Sequence, residues 1–537
     1  MSDALNPWTE EADVVVVGYG AAGACAALEA HEQGADVLIL DRFHGGGTTS
    51  KSGGVYYAGG GTSIQKDAQV EDSVEDMYNY LKLETKGIIK DETLRRFCEQ
   101  SVPNTEWLMG HGVPFEGSLC PVKTSYPSDK YYLYYSGNES FPPYTDVAKP
   151  APRGHRAKAK GLPGAAFYEP LRKSADALGI RTSYESKVTE LITDAEGRVI
   201  GVAYRALIEG SAQAKLHEKL NQRAYNLKNY MPGKSKQLWR QCDQLLEEHG
   251  EVRRVRAKKG VILAAGGFVY NREMVKEHAP GYRKGMPLGT WGDQGEGIKL
   301  GMAAGGQTAH LNRMSAWRFI NPPSAWATGF VVNKAGERYV NERLYGAALG
   351  EAMVEHQDGR AYLVIDRDMF KKARSQVLWG RAHWFQAAPA LLNMYLNAKK
   401  GRTIEDAAKA AGLPPDAVRK TFDAYNAQAE QGTDDPFGKD KENIVALKKP
   451  PFYIMDVSID SQRFPCPTLT LGGLRVNEET GAVLNANDEP IPGLYAAGRN
   501  AVGICTQQYV SGLSIADCVF SGRRAGKASA KADAQEA

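Results

Sequence analysis

Residues 13–41, DVVVVGYGAAGACAALEAHEQGADVLILD, decide the fold of this 537-residue chain. The β-branched run 14–17 predicts a strand, a glycine-rich turn and an alanine-rich helix follow it, and the apolar run 37–40 predicts a second strand. Asp41 ends that second strand, where an acidic side chain accepts from a ribose hydroxyl. Strand, helix, strand and acidic residue in this order form the context in which a glycine motif indicates a dinucleotide site.

The turn between the first strand and the helix carries the motif Gly18-x-Gly20-x-x-Gly23. Gly18 permits the tight turn, Gly20 lets a pyrophosphate approach the backbone, and Gly23 lets the helix pack on the strand. Ala21 and Ala22 open the helix, whose first amides and positive dipole end favour phosphate. These residues predict the phosphate site of a Rossmann-like fold.

A Gly/Ser/Thr-rich loop, RFHGGGTTSKSGGVYYAGGG at 42–61, follows directly. Glycines let a backbone approach a large ligand closely, and a loop in this place suits a cofactor that extends further than NAD. The segment resembles the FAD-binding loop of the fumarate reductase/succinate dehydrogenase flavoprotein superfamily. The resemblance implies FAD contacts from Arg42, Thr48, Thr49, Ser50, Gly53 and Gly54. Members that bind FAD covalently carry a histidine in this loop, and 48–54 has none, so non-covalent FAD is expected.

Other segments resemble further parts of the same cofactor site. KKGVILAAGGF (258–268) is similar to the strand and turn that return to the dinucleotide, and GLYAAGRN (493–500) is similar to the late FAD motif. Val188 matches a position whose backbone contacts the adenine side. A helix from about Gly512 is expected to aim its N-terminus at the flavin, where its dipole stabilises the reduced form. The resemblance implies further FAD contacts from Ala265, Gly266, Gly267, Gly498, Arg499, Leu513 and Ser514.

Cofactor motifs at both ends of the chain predict an α/β fold in two parts. A Rossmann-like FAD-binding domain, split in sequence, is expected over 10–300 and 450–528. The resemblance implies that 301–449 is an inserted α+β substrate-capping domain. The tail 529–537 is expected to be disordered.

Residues 207–256 look like an insertion into the FAD-binding domain. The segment is basic and helix-forming, and Pro232-Gly233 predicts the turn of a helical hairpin. A solvated surface hairpin is the favoured interpretation. The alternative is an arm that contacts a membrane surface or a partner protein.

Composition excludes several classes of protein. The formal net charge of +3 indicates no nucleic-acid partner. The ten histidines show no HxxxH spacing and the seven cysteines form no CxxC pair, so no metal site is predicted. The first residues lack the apolar core of a secretory signal, and no apolar run reaches the roughly 18 residues of a membrane span. A cytoplasmic enzyme, with peripheral membrane association left open, is therefore expected.

The superfamily includes enzymes that reduce dicarboxylates held by arginine and histidine. The segment that carries the proton-donating arginine in fumarate reductases is RYVNERLYG here, in which Arg343 falls too early and Gly346, next to Tyr345, takes the donor position. A histidine-containing substrate segment is matched by TLTLGG (468–473), and the clamp arginine is replaced by Tyr509. A dianion would face a large desolvation cost in an uncharged site, so dicarboxylates are excluded.

The chain instead resembles the 3-ketosteroid dehydrogenases, above all those of the Δ4-(5α) type. The resemblance covers nearly all of the chain outside 207–256 and rests on SGGVYYAGGGT (52–62), YYSGNE (134–139), RGHRA (153–157) and YVSGLS (509–514). Δ1-type enzymes show Tyr-Pro-Gly in the last of these places. Val and Ser after the tyrosine therefore favour the Δ4 type.

This resemblance implies desaturation of a 3-keto-5α-steroid at C4–C5, with a proton lost from C4 and a hydride from C5 to the flavin. We assign Tyr509 as the C4 base, with Ser511 hydrogen-bonded nearby to relay the proton or polarise the base, and with Tyr345 assisting from the cap. Backbone amides of Gly512 and Ser514 are expected to donate to the C3 oxygen, as in an oxyanion hole.

Three other functions stay open at this stage. The first is Δ1-dehydrogenation on the same scaffold. The second is a flavin-dependent reductase of an enone or unsaturated acid, and the third is an electron-transfer flavoprotein whose 207–256 arm docks a partner. The electron acceptor has no signature in the sequence.

Overall fold

The computed structural model describes residues 8–228, 230–379 and 382–534. The strands are β1 Glu10–Val17, β2 Val37–Leu40, β3 Val55–Tyr57, β4 Leu133–Tyr134, β5 Gly154–Arg156, β6 Arg181–Ser183, β7 Ser186–Thr193, β8 Val199–Ala206, β9 Glu251–Leu263, β10 Met286–Pro287, β11 Thr308–Ala309, β12 Met314–Ala316, β13 Phe330–Val332, β14 Tyr362–Ile365, β15 Lys399–Gly401, β16 Phe452–Asp456, β17 Pro467–Thr470, β18 Gly473–Leu474, β19 Ala482–Leu484 and β20 Pro490–Ala496. The α-helices are α1 Ala21–Glu32, α2 Ser63–Asp67, α3 Val74–Thr85, α4 Asp91–Glu99, α5 Ser101–Gly110, α6 Gly164–Ala177, α7 Ala212–Leu227, α8 Pro232–His249, α9 Arg272–His278, α10 Glu296–Ala303, α11 Gly346–His356, α12 Arg367–Trp379, α13 Trp384–Leu392, α14 Ile404–Ala410, α15 Pro415–Gln431 and α16 Leu513–Ala530.

The largest sheet is the predicted Rossmann-like core. Its main path runs β19-β20-β9-β1-β2-β6, and every neighbouring pair from β20 to β6 is parallel. The apolar run 14–17 of β1 is buried, as expected for a parallel strand covered on both faces. The predicted α/β class is confirmed.

Helices α1 and α16 pack against each other beside this sheet. Both are rich in small residues, and Gly522 and Gly526 of α16 lie directly against the backbone of Ala22 and Ala26 in α1. The close approach places the N-termini of both helices at one edge of the sheet. The N-terminal and C-terminal halves of the predicted split domain therefore meet at one place.

A second unit is built on the antiparallel sheet β13-β14-β16-β15, which α11 to α15 surround. Its core includes Trp326, Phe330 and Phe422. Strand β16 at 452–456 pairs with β14, while β11 at 308–309 pairs with β18 of the cofactor unit. Strand pairing therefore links strands of the predicted cap, 301–449, with strands outside that range.

The insertion 207–256 forms the predicted helical hairpin, α7 and α8, with Pro232 in the first turn of α8. Its last residues, 251–256, are the first half of β9 and pair with β8 and β1, so they belong to the main sheet. None of the helices in the described ranges is long and apolar enough to cross a membrane.

The prediction of a disordered tail over 529–537 does not hold for its first two residues. Ser529 and Ala530 are buried in the last turn of α16, because that helix continues along α1 to its end. Residues 535–537 lie outside the described residues.

Candidate active site

One cavity of about 1060 Å³ lies where the two units meet. The carboxyl ends of β1, β2 and β9, the N-termini of α1 and α16, the α7–α8 hairpin and α13 of the cap all contribute to its wall. Its volume exceeds the roughly 300–1,000 Å³ of a pocket for one small ligand. The cavity therefore has room for a large cofactor together with a substrate.

The dinucleotide motif forms one end of this cavity. Gly18 has φ +101°, and a Cβ there would lie 2.7 Å from the Ala264 carbonyl oxygen, so the turn requires glycine. Gly20 faces open space, with only Thr49 Oγ1 within 4 Å of an added Cβ. Thr49 Oγ1 accepts from the Ala21 N–H at 3.2 Å and ties the loop to the first turn of α1. This end is a backbone-lined cradle of the kind that holds a pyrophosphate.

Asp41 lies at the end of β2 and lines the same cavity. Its carboxylate accepts from three backbone N–H groups, those of Tyr19, Phe43 and Gly45, at 2.8–3.2 Å. The carboxylate thus holds the two loops of the cradle together. Further lone pairs on its two oxygens are available to a ribose hydroxyl.

Most of the predicted FAD contacts line this cavity. These are Gly18, Gly20, Ala21, Ala22, Asp41, Arg42, Thr48, Thr49, Ser50, Gly53, Val188, Ala265, Gly266, Arg499 and Ser514. The fold therefore brings these predicted contacts, which come from both ends of the chain, to one cavity.

Five predicted contacts do not line the cavity: Gly23, Gly54, Gly267, Gly498 and Leu513. Each of the glycines lies against another part of the protein, where a side chain would clash. An added Cβ at Gly23 would lie 1.9 Å from Gly18 O, and one at Gly54 would lie 2.6 Å from the Pro163 backbone. At Gly267 it would lie 2.2 Å from Thr470 Oγ1, and at Gly498 2.9 Å from Ala22 Cβ. Leu513 points into the core and is fully buried. These residues shape the cavity from behind its wall.

Asp293 is a cavity residue that the sequence did not reveal. It accepts from Thr48 Oγ1 at 2.5 Å, from Arg499 Nη2 at 2.6 Å and from the Thr290 N–H at 3.0 Å. Arg499 Nη1 is buried without a partner among the described residues, so the guanidinium keeps one donor for a ligand. The glycine-rich run 289–297, GTWGDQGEG, was the available signal for this segment.

The α7–α8 hairpin covers the cofactor end of the cavity, which replaces its interpretation as a solvated surface element. Asn221, Tyr225 and Lys228 line the cavity. Trp239 stacks on Trp291 with ring centroids 5.2 Å apart and planes inclined by 11°. Lys228 Nζ donates to the Gly289 carbonyl at 2.8 Å, and burial lowers the pKa of this lysine to about 8. No sequence pattern predicted this docking, because its contacts join segments distant in the chain.

Three aromatic side chains gather at the opposite end of the cavity. The Tyr509 ring centroid lies 4.8 Å from that of Trp317 and 6.5 Å from that of Tyr345, and all three residues line the cavity. Tyr509 precedes α16, whereas Tyr345 is the N-cap of α11 in the cap. The structure thus brings the two predicted catalytic tyrosines together from different units.

Ser511 also lines the cavity, and no hydrogen bond between it and Tyr509 is among those of the described residues. Its Oγ lies 2.9 Å from the Tyr134 hydroxyl, which is fully buried. Tyr134 is therefore the hydroxyl partner of Ser511.

The tyrosines at this end are uncharged at neutral pH. Burial, together with Cys505, raises the pKa of Tyr509, and the nearby Gly512 N–H offsets only part of that rise. Burial and the neighbouring Tyr509 also raise the pKa of Tyr345. Neutral phenols suit an apolar ligand that carries one hydrogen-bonding oxygen.

Arginines near this end are engaged by the protein. Arg318 donates to the carbonyls of Val457, Ser458, Phe464 and Pro465 at 2.9–3.3 Å. Arg343 lies outside the cavity wall and 3.6 Å from an Asp440 carboxylate oxygen. Arg463, which also lines the cavity, donates to the Leu396 carbonyl and forms no ion pair with a described carboxylate.

The start of α16 presents backbone donors to the cavity. Gly512 is its N-cap with φ +90°, and both Gly512 and Ser514 line the cavity. The intervening Leu513 N–H donates to Val510 O at 3.0 Å. The amides of Gly512 and Ser514 remain as candidate donors to a substrate oxygen, in the positive field of the helix end.

Comparisons with known proteins show the family to which the chain belongs. A family model described as an FAD binding domain matches residues 13–512. The chain is 41% identical to the 3-oxo-5-alpha-steroid 4-dehydrogenase of Comamonas testosteroni over 505 residues, which cover 91% of this chain and 93% of that protein. It is 24% identical to a 3-oxosteroid 1-dehydrogenase of Mycolicibacterium smegmatis over 91% of this chain and 92% of that one.

A solved structure has the same overall fold. The 3-ketosteroid-delta4-(5alpha)-dehydrogenase of Rhodococcus jostii RHA1, in complex with 4-androstene-3,17-dione, superimposes with a TM-score of 0.81. It is 33% identical, and the match covers 99% of each chain. The α7–α8 hairpin therefore lies within the structurally matched part of the chain.

Proposed function

Because this chain belongs to the FAD binding domain family and to the family of the 3-oxo-5-alpha-steroid 4-dehydrogenase, we propose that it is an FAD-dependent enzyme that desaturates 3-keto-5α-steroids at C4–C5. The observation that carries the choice of substrate is the end of the cavity at Tyr509. Aromatic side chains form its wall there, and the nearby arginines are engaged by backbone carbonyls and Asp440. An apolar polycyclic ketone fits this environment, and a dianion does not.

The cradle at the other end fits FAD. Gly20 and Thr49 would face the pyrophosphate, Asp41 the ribose, and Arg499 would offer its unpartnered Nη1 to a cofactor oxygen. When bound, FAD supplies the two-electron acceptor for the hydride that leaves C5. The loop 48–54 contains no histidine, in keeping with non-covalent binding.

The protein's part in the reaction is to move one proton and to stabilise one oxygen. The C3 carbonyl acidifies the protons at C4. Tyr509 would accept one of them as its phenolate, after its own phenolic proton has been lost, while Tyr345 assists from the cap side. The raised pKa of Tyr509 makes its phenolate a strong base but keeps it protonated at rest. Ser511 and Tyr134 offer hydroxyls through which a proton can leave the site.

Stabilisation of the C3 oxygen falls to the start of α16. The N–H groups of Gly512 and Ser514 would donate to the negative charge that develops on this oxygen as C4 loses its proton. Such donors act in a site that excludes water, where each hydrogen bond to a developing charge is strong.

Product identity tests the proposal. Purified holoenzyme is incubated with a 5α-3-ketosteroid and an artificial electron acceptor, and the product is identified by mass spectrometry and NMR. A C4–C5 alkene is the expected product. A C1–C2 alkene would assign the chain to Δ1-dehydrogenation, and no turnover together with rapid reoxidation of the reduced enzyme by an enone would assign it to the reductases.

The base assignment is tested by Tyr509→Phe, which is expected to lower kcat by roughly 10²–10⁴-fold while the flavin spectrum stays unchanged. Tyr495→Phe is the matched control, since Tyr495 is a buried tyrosine in β20 outside the cavity wall. If Tyr509→Phe retains the turnover of this control, Tyr509 is not the base.

A further inference from the structure

The cap carries an exposed apolar surface, which we call the docking face. It consists of Leu378, Trp379, Trp384, Leu392, Tyr395 and Leu396. Trp379 is 81% exposed and Trp384 66% exposed, and all six side chains fall within 19 residues of sequence. Large apolar side chains concentrated in this way mark an interaction site on a protein surface.

The exposed side of α13 is apolar along its length. The exposed positions from 384 onward are Trp384, Ala388, Leu392, Tyr395 and Leu396, which are spaced as one face of a helix. A helix on the surface of a water-soluble protein turns its polar side outward. Here that pattern is reversed, so water is not the expected neighbour of this face.

Helix α12 lies beside this segment, because Phe370 contacts the Tyr395 ring at a centroid distance of 5.9 Å. Leu378 follows Arg374 by four residues and Lys371 by seven, so the three share one stripe of α12. The docking face therefore continues directly into a basic surface.

Basic residues flank the docking face on both sides. Between 367 and 402 the sequence holds eight lysines and arginines against one acidic residue. Seven cations around the face are exposed and form no ion pair with a described carboxylate: Lys371, Lys372, Arg374, Lys399, Lys400, Arg402 and Arg463. Apolar and aromatic side chains bordered by unpaired cations are typical of an element that lies in the interface of an anionic membrane.

The docking face also borders the mouth of the active-site cavity. Trp384, Ala388 and Leu392 are exposed and at the same time line the cavity. Leu162, which is also exposed, lines the same opening. An apolar molecule that leaves a bilayer at this face would enter the cavity without crossing bulk water.

We propose that the docking face binds the surface of an anionic lipid bilayer and that the cavity takes its substrate from that surface. The first part stands on the exposed helix face and its unpaired cations. The second part rests on the proposed function, since it requires a substrate that partitions into lipid. A second copy of the chain is a poor occupant, because pairing two such faces would oppose seven cations to seven others.

The α7–α8 hairpin, the segment for which membrane contact was considered from sequence, is less suited to this role. Trp239, its largest aromatic side chain, is buried against Trp291. The described apolar side chains exposed near its turn are Tyr230 and Met231. These two residues supply a matched control for the docking face.

Flotation of the holoenzyme with phosphatidylglycerol-containing vesicles, and with pure phosphatidylcholine vesicles, tests the proposal. We expect binding to the anionic vesicles, a blue shift of tryptophan fluorescence, and release by high salt. The variant Leu378→Ser/Trp379→Ser/Leu396→Ser is expected to bind at least tenfold more weakly, and Lys399→Glu/Lys400→Glu likewise. The control Tyr230→Ser/Met231→Ser is expected to bind as the wild type does.

Turnover of steroid carried by cyclodextrin separates this proposal from the proposed function. None of the three serine positions lines the cavity, so the triple variant should turn over soluble steroid normally and lose rate only with vesicle-borne steroid. Absence of wild-type binding to anionic vesicles, or loss of binding in the Tyr230/Met231 control instead, would overturn the docking proposal. The proposal would also be overturned if the wild type were an oligomer, and if the triple substitution made it monomeric while vesicle binding persisted.

Discussion

At the scale of single residues, a buried carboxyl lies behind Tyr345, one of the two proposed catalytic tyrosines. Glu84 Oε1 accepts from the Tyr80 hydroxyl at 2.6 Å and from Asn138 Nδ2 at 3.0 Å, and Asn138 Oδ1 accepts from the Tyr345 N–H at 2.7 Å. Burial raises the pKa of Glu84 to about 7, and the neighbouring Glu139 adds to that rise. Protonation of Glu84 is thereby coupled to the residues that hold Tyr345.

We predict that Glu84 makes the protein less stable as pH rises from 4.5 toward 7. Its folded pKa lies above the ordinary value of 4.5, so the folded state binds more protons in this window and its stability falls by on the order of 3 kcal/mol. Glu84→Gln keeps an acceptor for Tyr80 and Asn138 and should flatten the profile. Thermal unfolding midpoints across this pH range measure the effect.

Glu92→Gln, an exposed change on α4, is the control for this pH profile. It should follow the wild-type curve, since Glu92 lies in solvent. If Glu84→Gln follows the wild-type curve as well, Glu84 is ionised in the folded protein throughout the range. Measurements stay below pH 8, because buried Lys123 has a pKa lowered to about 8 and would raise stability as pH increases above it.

Sequence reasoning identified the two tyrosines of the cavity wall, but not the residues that hold them. Tyr509 and Tyr345 were predicted from motifs, and both lie in the cavity wall. The partner of Ser511 is Tyr134, which is 377 residues away in the chain. The sequence did not identify this partner, because a contact across such a separation depends on the packing of whole elements.

At the scale of elements, the α1–α16 contact depends on glycine. A Cβ at Gly526 would lie 2.3 Å from Ala26 O, so Gly526→Ala must push the two helices apart. We predict a loss of about 1–3 kcal/mol of stability, although alanine favours helix more than glycine does. Thermal unfolding of the holoenzyme measures the change.

Gly233→Ala is the matched control. Gly233 lies in the first turn of α8, and an added Cβ there meets nothing within 4 Å. This variant should be neutral or more stable by up to about 1 kcal/mol. Equal stability of the two variants would show that the α1–α16 contact tolerates separation.

Elements were predicted better than their placement. The helix-forming composition of 207–256 and the turn predicted at Pro232-Gly233 indicated the two helices of the hairpin, and both helices are present. Their position over the cofactor end of the cavity depends on Trp239 meeting Trp291 and on Arg42 meeting Asp243. Such contacts carry no periodic signal, so composition alone suggested a solvated hairpin.

At the scale of the whole molecule, one cavity joins parts of the chain that are distant in sequence. The cradle at 18–22, Asp293, Arg499 and the hairpin meet around the cofactor space, while α13 and Tyr345 close it from the cap. A ligand bound there stabilises every element that contacts it by mass action. FAD is therefore expected to hold the hairpin in place, in addition to its chemical role.

We predict that removal of FAD loosens the hairpin far more than the cap sheet. A cofactor present at about 1,000 times its Kd contributes about 4 kcal/mol, and this contribution is lost by each element that opens when the ligand leaves. Amide hydrogen exchange in α7 and α8, which line the cavity, should rise strongly in the apoprotein, whereas exchange in β14, buried in the cap core, should change little.

Trp239→Ala should move the exchange pattern of the holoenzyme part of the way toward that of the apoprotein, because it removes the stack on Trp291. Equal protection of the hairpin with and without FAD would mean that contacts such as Arg42 to Asp243 and Lys228 to Gly289 hold it unaided.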